Sequence, residues 1–366
     1  MNIIFDFKIF LQQNYGGPSR YFFNLFEYIN KKHDRNNAYI ISPVYYNEYL
    51  NSSNFKDKII GTKFPKIKFS GILCNRINRL LSDIFIKKTQ PNVIHTTDYQ
   101  IYSKRKKYPL IVTVHDLIHE IYHEDFGKKK DFRPKKKILD ISDHIICVSQ
   151  NTKKDLIRFY DVNEKKISVV YHGNTFQNFI YNKENPIFQF KYFLYVGGRK
   201  RYKNFFSVIE AFKKNEQIYK DYKIICVGGG KLLETEKKKI IENNIDLSKI
   251  IFLERADDNN LFNLYKNATA LIYPSFYEGF GMPIIEAMSI GCPVISSNTS
   301  SLTEVYGDAA ISFSPLSISE LTNNLEKIVF NNGLRRKVID LGYIQAQKFS
   351  WERCVDETLA IYNKVV

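Results

Sequence analysis

Short apolar runs alternate with longer amphipathic stretches along most of this 366-residue chain, the pattern left by parallel sheets covered with helices. In the first half the runs are Asn2–Phe7, Tyr39–Ser42, Val93–His95, Leu110–His115, His144–Ser149 and Ile167–Tyr171. In the second half they are Phe193–Val196, Lys223–Val227, Ile250–Leu253, Ala270–Tyr273 and Val294–Ser296. Each half therefore predicts about five or six strands, enough for one doubly wound α/β domain. The length points the same way, because single cores stop growing before this size. The stretch 174–191, with Asn182-Lys183-Glu184-Asn185-Pro186 near its middle, breaks the alternation and reads as the linker. A final helical pattern begins at Trp351, the only tryptophan.

Composition removes several classes. No run of about 18 apolar residues occurs, so no membrane-spanning helix is expected. Met1 to Phe7 reads as a buried first strand and not as a signal peptide, since it lacks a basic start and a small-residue cleavage site. The five cysteines (Cys74, Cys147, Cys226, Cys292 and Cys354) never pair as C-x-x-C. They predict reduced, buried thiols in a cytoplasmic protein rather than a disulfide or zinc framework.

Charge is uneven. Residues 1–185 hold 31 Lys/Arg against 18 Asp/Glu, whereas residues 186–366 hold 23 against 20. The excess peaks at Lys104-Arg105-Lys106-Lys107, at Lys128-Lys129-Lys130 and at Lys135-Lys136-Lys137. An AT-rich coding sequence with lysines on solvated faces explains this as well as attraction to anionic lipid does. Nucleic acid ranks behind both, because no RNA- or DNA-binding module is recognisable.

Polar motifs fall where the predicted strands end. The segment Tyr273 to Met288 is the densest: Glu278 and Glu286 stand eight positions apart across Gly279, Gly281 and Pro283. A strand, a glycine turn and a helix start make an anion site, because the first amides of a helix lack internal partners. Its two carboxylates suit a phosphate-bearing polyol, and a nucleotide sugar is the expected ligand. Arg199 and Lys203 follow Gly197-Gly198 and could embrace a pyrophosphate, one bidentate and one as a point charge. Ordinary surface charge is the bland reading, but cations oppose the dipole at a helix start. Glu286 is either a ribose-diol acceptor or a carboxylate favouring the helix dipole. Glu278 is either a sugar ligand or a solvated loop residue. His115, at the end of an apolar run and beside Asp116, competes with a half-buried structural histidine. Gly16-Gly17-Pro18 and Gly228-Gly229-Gly230 mark two further turns.

Set together, Glu278-Gly-Phe-Gly-Met-Pro-Ile-Ile-Glu286-Ala-Met resembles the paired-glutamate signature of family 4 glycosyltransferases of GT-B fold. The resemblance covers nearly the whole chain, through Gly16-Gly17-Pro18-Ser19-Arg20, Val112-Thr113-Val114-His115-Asp116, Val169-Val170-Tyr171-His172-Gly173, Tyr195-Val196-Gly197-Gly198-Arg199 and Ser300-Ser301-Leu302-Thr303-Glu304. It runs closest to the bacterial branch that builds O-antigens with mannosyl-, rhamnosyl- and perosaminyl-type transfer.

The resemblance implies two Rossmann-like domains facing across a cleft. The N-terminal acceptor domain would span residues 1–175, with a final helix over 350–366 packing back on it, and the nucleotide-sugar domain 190–349. Arg199 and Lys203 would hold the diphosphate, Glu286 the ribose, and Glu278 with the amides of Phe280, Gly281 and Met282 the sugar. His115 would lie near the reacting centre and Gly17 beside the phosphate. The family retains anomeric configuration. With no obvious covalent nucleophile, same-face attack is expected, the departing phosphate accepting the acceptor's proton. The absence of an Asp-x-Asp motif predicts no obligatory metal, and no cofactor besides the donor. The acceptor would be a glycan or lipid-linked glycan, and the site of action the cytoplasm or the inner face of its membrane. The branch favours GDP, but Glu254-Arg255-Ala256, where relatives often carry glycine, leaves the nucleobase open. An epimerase or phosphorylase of the same fold is the rival; a non-catalytic lipid- or nucleic-acid-binding protein is the remote one.

Overall fold

The structure, a computed structural model, describes residues 1–32, 35–67, 70–99, 107–126, 132–177, 179–181 and 185–366. The basic residues Lys104-Arg105-Lys106 and Lys128-Lys129-Lys130 lie outside them. The chain divides into two compact units: Met1–Leu117, Lys129–Gly173 and Trp351–Val366 form the first, and Ile118–Lys128 with Asn174–Ser350 form the second. The segment Ile118–Lys128, expected in the first domain, groups with the second. The ring of Tyr122 lies 6.1 Å from Tyr202 and 6.4 Å from Tyr277. The expected linker also belongs to the second unit: Phe176 is buried, its ring 5.6 Å from that of Phe262.

The first unit holds β1 (Asn2–Asp6), β2 (Asn37–Tyr45), β3 (Ile59–Lys63), β4 (Val93–Thr96), β5 (Leu110–Val114), β6 (His144–Cys147) and β7 (Ile167–Val169). They form one parallel sheet in the order β3-β2-β1-β4-β5-β6-β7. The second unit holds β8 (Tyr192–Val196), β9 (Lys223–Val227), β10 (Ile250–Leu253), β11 (Ala270–Tyr273), β12 (Val294–Ser297) and β13 (Ile311–Phe313), ordered β10-β9-β8-β11-β12-β13. Both orders reverse direction once, at β1/β4 and at β8/β11. In open parallel sheets the crevice beyond the strand ends at that reversal is where ligands bind.

Each core follows from the strand sequences. The strands of the first unit are nearly all apolar at their centres because helices cover both faces. Ile3, Phe5, Ile40, Val93, Ile111 and Ile146 pack with Tyr21, Phe22, Leu25 and Phe26 of the Gly17–Lys32 helix, and with Trp351, Val355 and Tyr362 of the Trp351–Val365 helix. The chain's last helix thus completes the first unit. One polar line crosses this core: Nδ1 and Nε2 of His95 meet the Tyr362 hydroxyl at 2.6 Å and Thr113 Oγ1 at 2.8 Å. The second core gathers Phe193, Ile224, Ile272 and Ile295 with Phe205, Phe212, Leu321 and Leu325.

Three elements depart from the expected pattern. A short helix, Lys8–Gln12, separates β1 from the Gly16-Gly17 turn. β3 and β13 are edge strands absent from the expected list. Lys135, counted above with the surface excess, is buried: its ammonium donates to the Asp116 carbonyl at 3.1 Å and lies over the Tyr99 ring.

Candidate active site

β8 and β11 are neighbours flanking the reversal of the second sheet, and their carboxyl ends are laced together. β8 leads through Gly197 (φ 145°) and Gly198 into a single turn, Arg201–Lys203. Asn204 then takes a left-handed conformation (φ 53°), tolerated by a short amide side chain that finds local partners. Its Nδ2 donates to the Pro274 and Pro315 carbonyls at 3.2 and 2.9 Å, and the Phe276 amide donates to the Tyr202 carbonyl at 2.8 Å. Lys203 is thereby fixed beside the exit of β11.

There it meets Glu278. Lys203 Nζ lies 2.6 Å from Glu278 Oε1, and the Ser275 hydroxyl donates to the same oxygen at 2.6 Å. The Tyr273 hydroxyl also bonds the carboxylate; burial first, and the Glu278 charge second, raise its pKa well above the ordinary phenol range. Tyr273 therefore stays a neutral donor. The backbone is held as firmly. The Glu278 amide donates to the Ser300 hydroxyl at 3.0 Å, from a serine in the left-handed region (φ 52°). Ser301 donates to the carbonyls of Glu278 and Phe280 at 2.8 and 2.9 Å. Glu278 is 7% exposed, so the solvated-loop reading fails for it.

The Met282–Ser289 helix starts at Gly281, whose φ of 117° favours glycine; a Cβ there would stand 2.9 Å from Leu302 Cδ2. No side chain caps this end, and Pro283 sits in its first turn. Three positions beyond Pro283, Glu286 is 4% exposed and accepts from the Tyr265 hydroxyl at 3.0 Å. A buried carboxylate needs such partners.

Arg199 points elsewhere. Its guanidinium pairs with Glu236 (Nε to Oε1, 3.0 Å; Nη2 to Oε2, 3.1 Å) and donates to the Gly228 and Lys231 carbonyls at 3.0 and 2.9 Å. Arg199 and Lys203 thus serve different partners in this structure. Arg199 closes the glycine loop after β9, where Gly228, Gly229 and Gly230 all have positive φ.

In the first unit, His115 follows β5 and is half-buried. Its ring lies edge-on to Tyr21 at 5.2 Å and 5.8 Å from His172. Burial, with Lys135 as a lesser cause, pushes its imidazole down to about 3, so it is neutral at physiological pH. Its Nε2 is shielded from solvent without a hydrogen-bond partner among the described residues. Such orphaned atoms are uncommon in folded proteins. Gly17 opens the Gly17–Lys32 helix, and a Cβ there would meet nothing within 4 Å.

Sequence reading missed Tyr265, Tyr273, Ser275, Ser300 and Glu236. Tyr273, Ser275 and Ser300 lie inside the motifs singled out above without a role of their own, and Glu236 carried a local signal too: an acid three residues into a helix, whose carboxylate accepts from the Leu233 amide at 2.9 Å.

Two parallel sheets of this order, each with its polar residues at the strand ends, are the arrangement of the GT-B fold. The chain belongs to glycosyltransferase family 4: residues 15–174 match the family described as Glycosyltransferase Family 4, and residues 177–345 that described as Glycosyl transferases group 1. Over 267 residues it is 32% identical to the O-antigen chain mannosyltransferase RfbU of Salmonella typhimurium, covering 70% of this chain and 72% of that one. The fold is shared with sucrose-phosphate synthase from Thermosynechococcus elongatus (TM-score 0.76, 18% identity, 99% and 98% of the two chains). It is shared equally with Anabaena HepE, solved with UDP and glucose (TM-score 0.76, 14% identity, 100% of each chain).

Proposed function

We propose that this glycosyltransferase moves a hexosyl unit, with retention, from a GDP-sugar to a glycan or lipid-linked glycan in bacterial surface-polysaccharide synthesis. The observation that carries the reading is the Lys203–Glu278 pair, Glu278 buried and Lys203 half-buried, fixed at the carboxyl ends of the two strands that flank the sheet reversal. The likeness to RfbU supports mannose as the first sugar to test.

When the bond from the anomeric carbon to the diphosphate breaks, negative charge grows on phosphate oxygens. Lys203 supplies a fixed cation for that charge, and the amides at the Met282 helix start supply dipoles. Preorganised groups of this kind are commonly the largest catalytic term. Arg199 adds its charge from the loop it organises. Glu278, anchored by Ser275 and Tyr273, accepts from sugar hydroxyls; Glu286, oriented by Tyr265, accepts from the ribose diol. His115, neutral and with Nε2 lacking a partner among the described residues, hydrogen-bonds the sugar, and Gly17 leaves room beside the phosphate. The leaving phosphate takes the acceptor's proton, so no side chain need be the base, and transfer proceeds without a divalent ion.

The test is a thermal-shift panel of GDP, UDP, ADP and dTDP, followed by turnover of the GDP-sugar with lipid-linked acceptor in EDTA. Stabilisation by GDP and acceptor-dependent release of GDP are expected. Conversion of the donor with no acceptor present would instead show an epimerase, and no response to any nucleotide would end the proposal.

A further inference from the structure

The Ser70–Thr89 helix of the first unit is turned inside out. The residues it buries against the sheet are Cys74, Asn78, Ser82 and Ile86, spaced four apart on one face. Three of those four are small or polar. Asn78 explains the preference: its side chain accepts from the Val44 amide at 2.7 Å and donates to the Val44 carbonyl at 2.8 Å. It thereby satisfies the backbone where the register between β2 and β3 shifts, between Ile41 and Val44. The opposite face carries the apolar residues. Leu73, Ile77, Leu80 and Ile84 follow the 4-3-4 spacing of a single ridge, which lies along the side of the helix away from the sheet. Leu80 is 73% exposed, Leu73 62% and Ile84 61%, and Ile72 at 70% extends the patch toward Ile67 and Phe64 at the helix entry. Large apolar side chains this exposed, and contiguous, mark a surface that meets something.

The charges beside the ridge say what. Arg76, Arg79, Lys87 and Lys88 are exposed along it, and Asp83 is the one acid on the helix. No ion pair to any of these four cations appears among the described residues. A second copy of the chain would fit poorly: an isologous interface lays a patch on itself, which would bury four unneutralised cations against four more. An anionic lipid surface satisfies both halves of the pattern, with the ridge entering the acyl boundary and the cations meeting headgroups. The helix, about 30 Å long at 1.5 Å per residue, would then lie in the plane of the bilayer.

We propose that this helix docks the enzyme on an anionic membrane surface by inserting Leu73, Leu80 and Ile84. This goes beyond the donor reading above and does not depend on it. The lipid attraction suggested by the sequence rested on other residues, Lys104 to Lys107 and Lys128 to Lys137; the surface argued here is a different one.

The experiment is co-sedimentation of the full chain with vesicles of phosphatidylcholine alone or mixed with phosphatidylglycerol. It uses the wild type, the pair Leu80→Glu/Ile84→Glu, and the set Arg76→Gln/Arg79→Gln/Lys87→Gln/Lys88→Gln. Wild type should sediment with the anionic vesicles only, and each variant should partition roughly tenfold less or weaker still. Melting temperature and nucleotide response, read on the same samples, should be unchanged in the variants, because all six positions face solvent. Equal binding to neutral vesicles, or undiminished binding by either variant, overturns the proposal. So does a dimer by light scattering that Leu80→Glu/Ile84→Glu dissociates. Loss of nucleotide response in the wild type would count against the donor reading alone.

Discussion

Acid should unfold the first unit through His95. This histidine sits in β4, wholly buried among Phe5, Phe22 and His115, with both ring nitrogens engaged by Tyr362 and Thr113. Burial, then the neighbouring His115, holds its pKa down to about 3 against an ordinary 6.5. The folded state therefore binds the proton far more weakly than the unfolded chain does. The stabilisation is complete above about pH 6.5 and is lost as pH falls from there toward about 3. Between pH 7.5 and pH 5, linkage gives a loss of about 2 kcal/mol from this one residue. His115, also held near 3, adds a loss of similar size. Trp351 makes the measurement specific to this unit: it is the chain's single tryptophan, buried in the first unit, its ring 6.1 Å from Tyr21 and 6.3 Å from His172. Urea unfolding followed by its fluorescence at both pH values should show the full drop in wild type. In His95→Gln, where an amide replaces the titrating ring, the difference between the two pH values should shrink by about 2 kcal/mol. An undiminished pH dependence in that variant would refute the reasoning, whatever the variant's absolute stability.

Three further outcomes follow from the site and its supports. Lys203→Ala should lower turnover at least about tenfold, and by stranding the buried Glu278 carboxylate should cost about 3 kcal/mol in denaturant unfolding; normal turnover would remove the diphosphate assignment. Tyr265→Phe should raise the donor KM several-fold while kcat changes less, because Glu286 loses an orienting donor while Lys203 and Glu278 stay in place; steady-state kinetics separates the two. Gly173→Ala should destabilise the first unit by about 2 kcal/mol or more, since its Cβ would come within 2.4 Å of the Trp351 backbone nitrogen, and the fluorescence melt would show it.

The central strands were legible in the sequence. Lys223–Val227 and Ala270–Tyr273 match the observed bounds because strands covered on both faces are apolar nearly throughout. The edge strands β3 and β13 were not, although the edge strands β7 and β10 were. β3, Ile-Ile-Gly-Thr-Lys, has no fully buried residue, so no apolar run sets it apart from the loops around it. The Lys8–Gln12 helix, with no side-chain cap, gave no start signal either. For the Ser70–Thr89 helix, periodicity alone fixes which stripe is apolar but not which stripe faces the sheet. The usual assumption inverts it, because the demand for Asn78 comes from a break in β2 far away in sequence.

The candidate site divides the same way. His115, Lys203 and Glu278 follow strand ends and Glu286 lies in the helix that begins beyond one, where sequence can point to them. Their settings are long-range: Tyr265 reaches Glu286 from another helix, and Arg199 meets Glu236 across the loop after β9. No local spacing encodes such pairs, and the turning of Arg199 away from Lys203 could not have been anticipated from their separation of four residues.

The final helix, Trp351–Val365, lies in the first unit although the whole second unit is synthesised before it. On a ribosome, which releases the chain from its first residue onward, the first sheet would emerge early with Tyr21 and Phe22 still lacking the cover of Trp351 and Tyr362. His95 would likewise wait for the Tyr362 hydroxyl until the whole second unit had been made. The unit begun before the other is thus finished after it, and a ribosome that stalls anywhere in the second unit leaves an aromatic, histidine-lined surface for chaperones to shield.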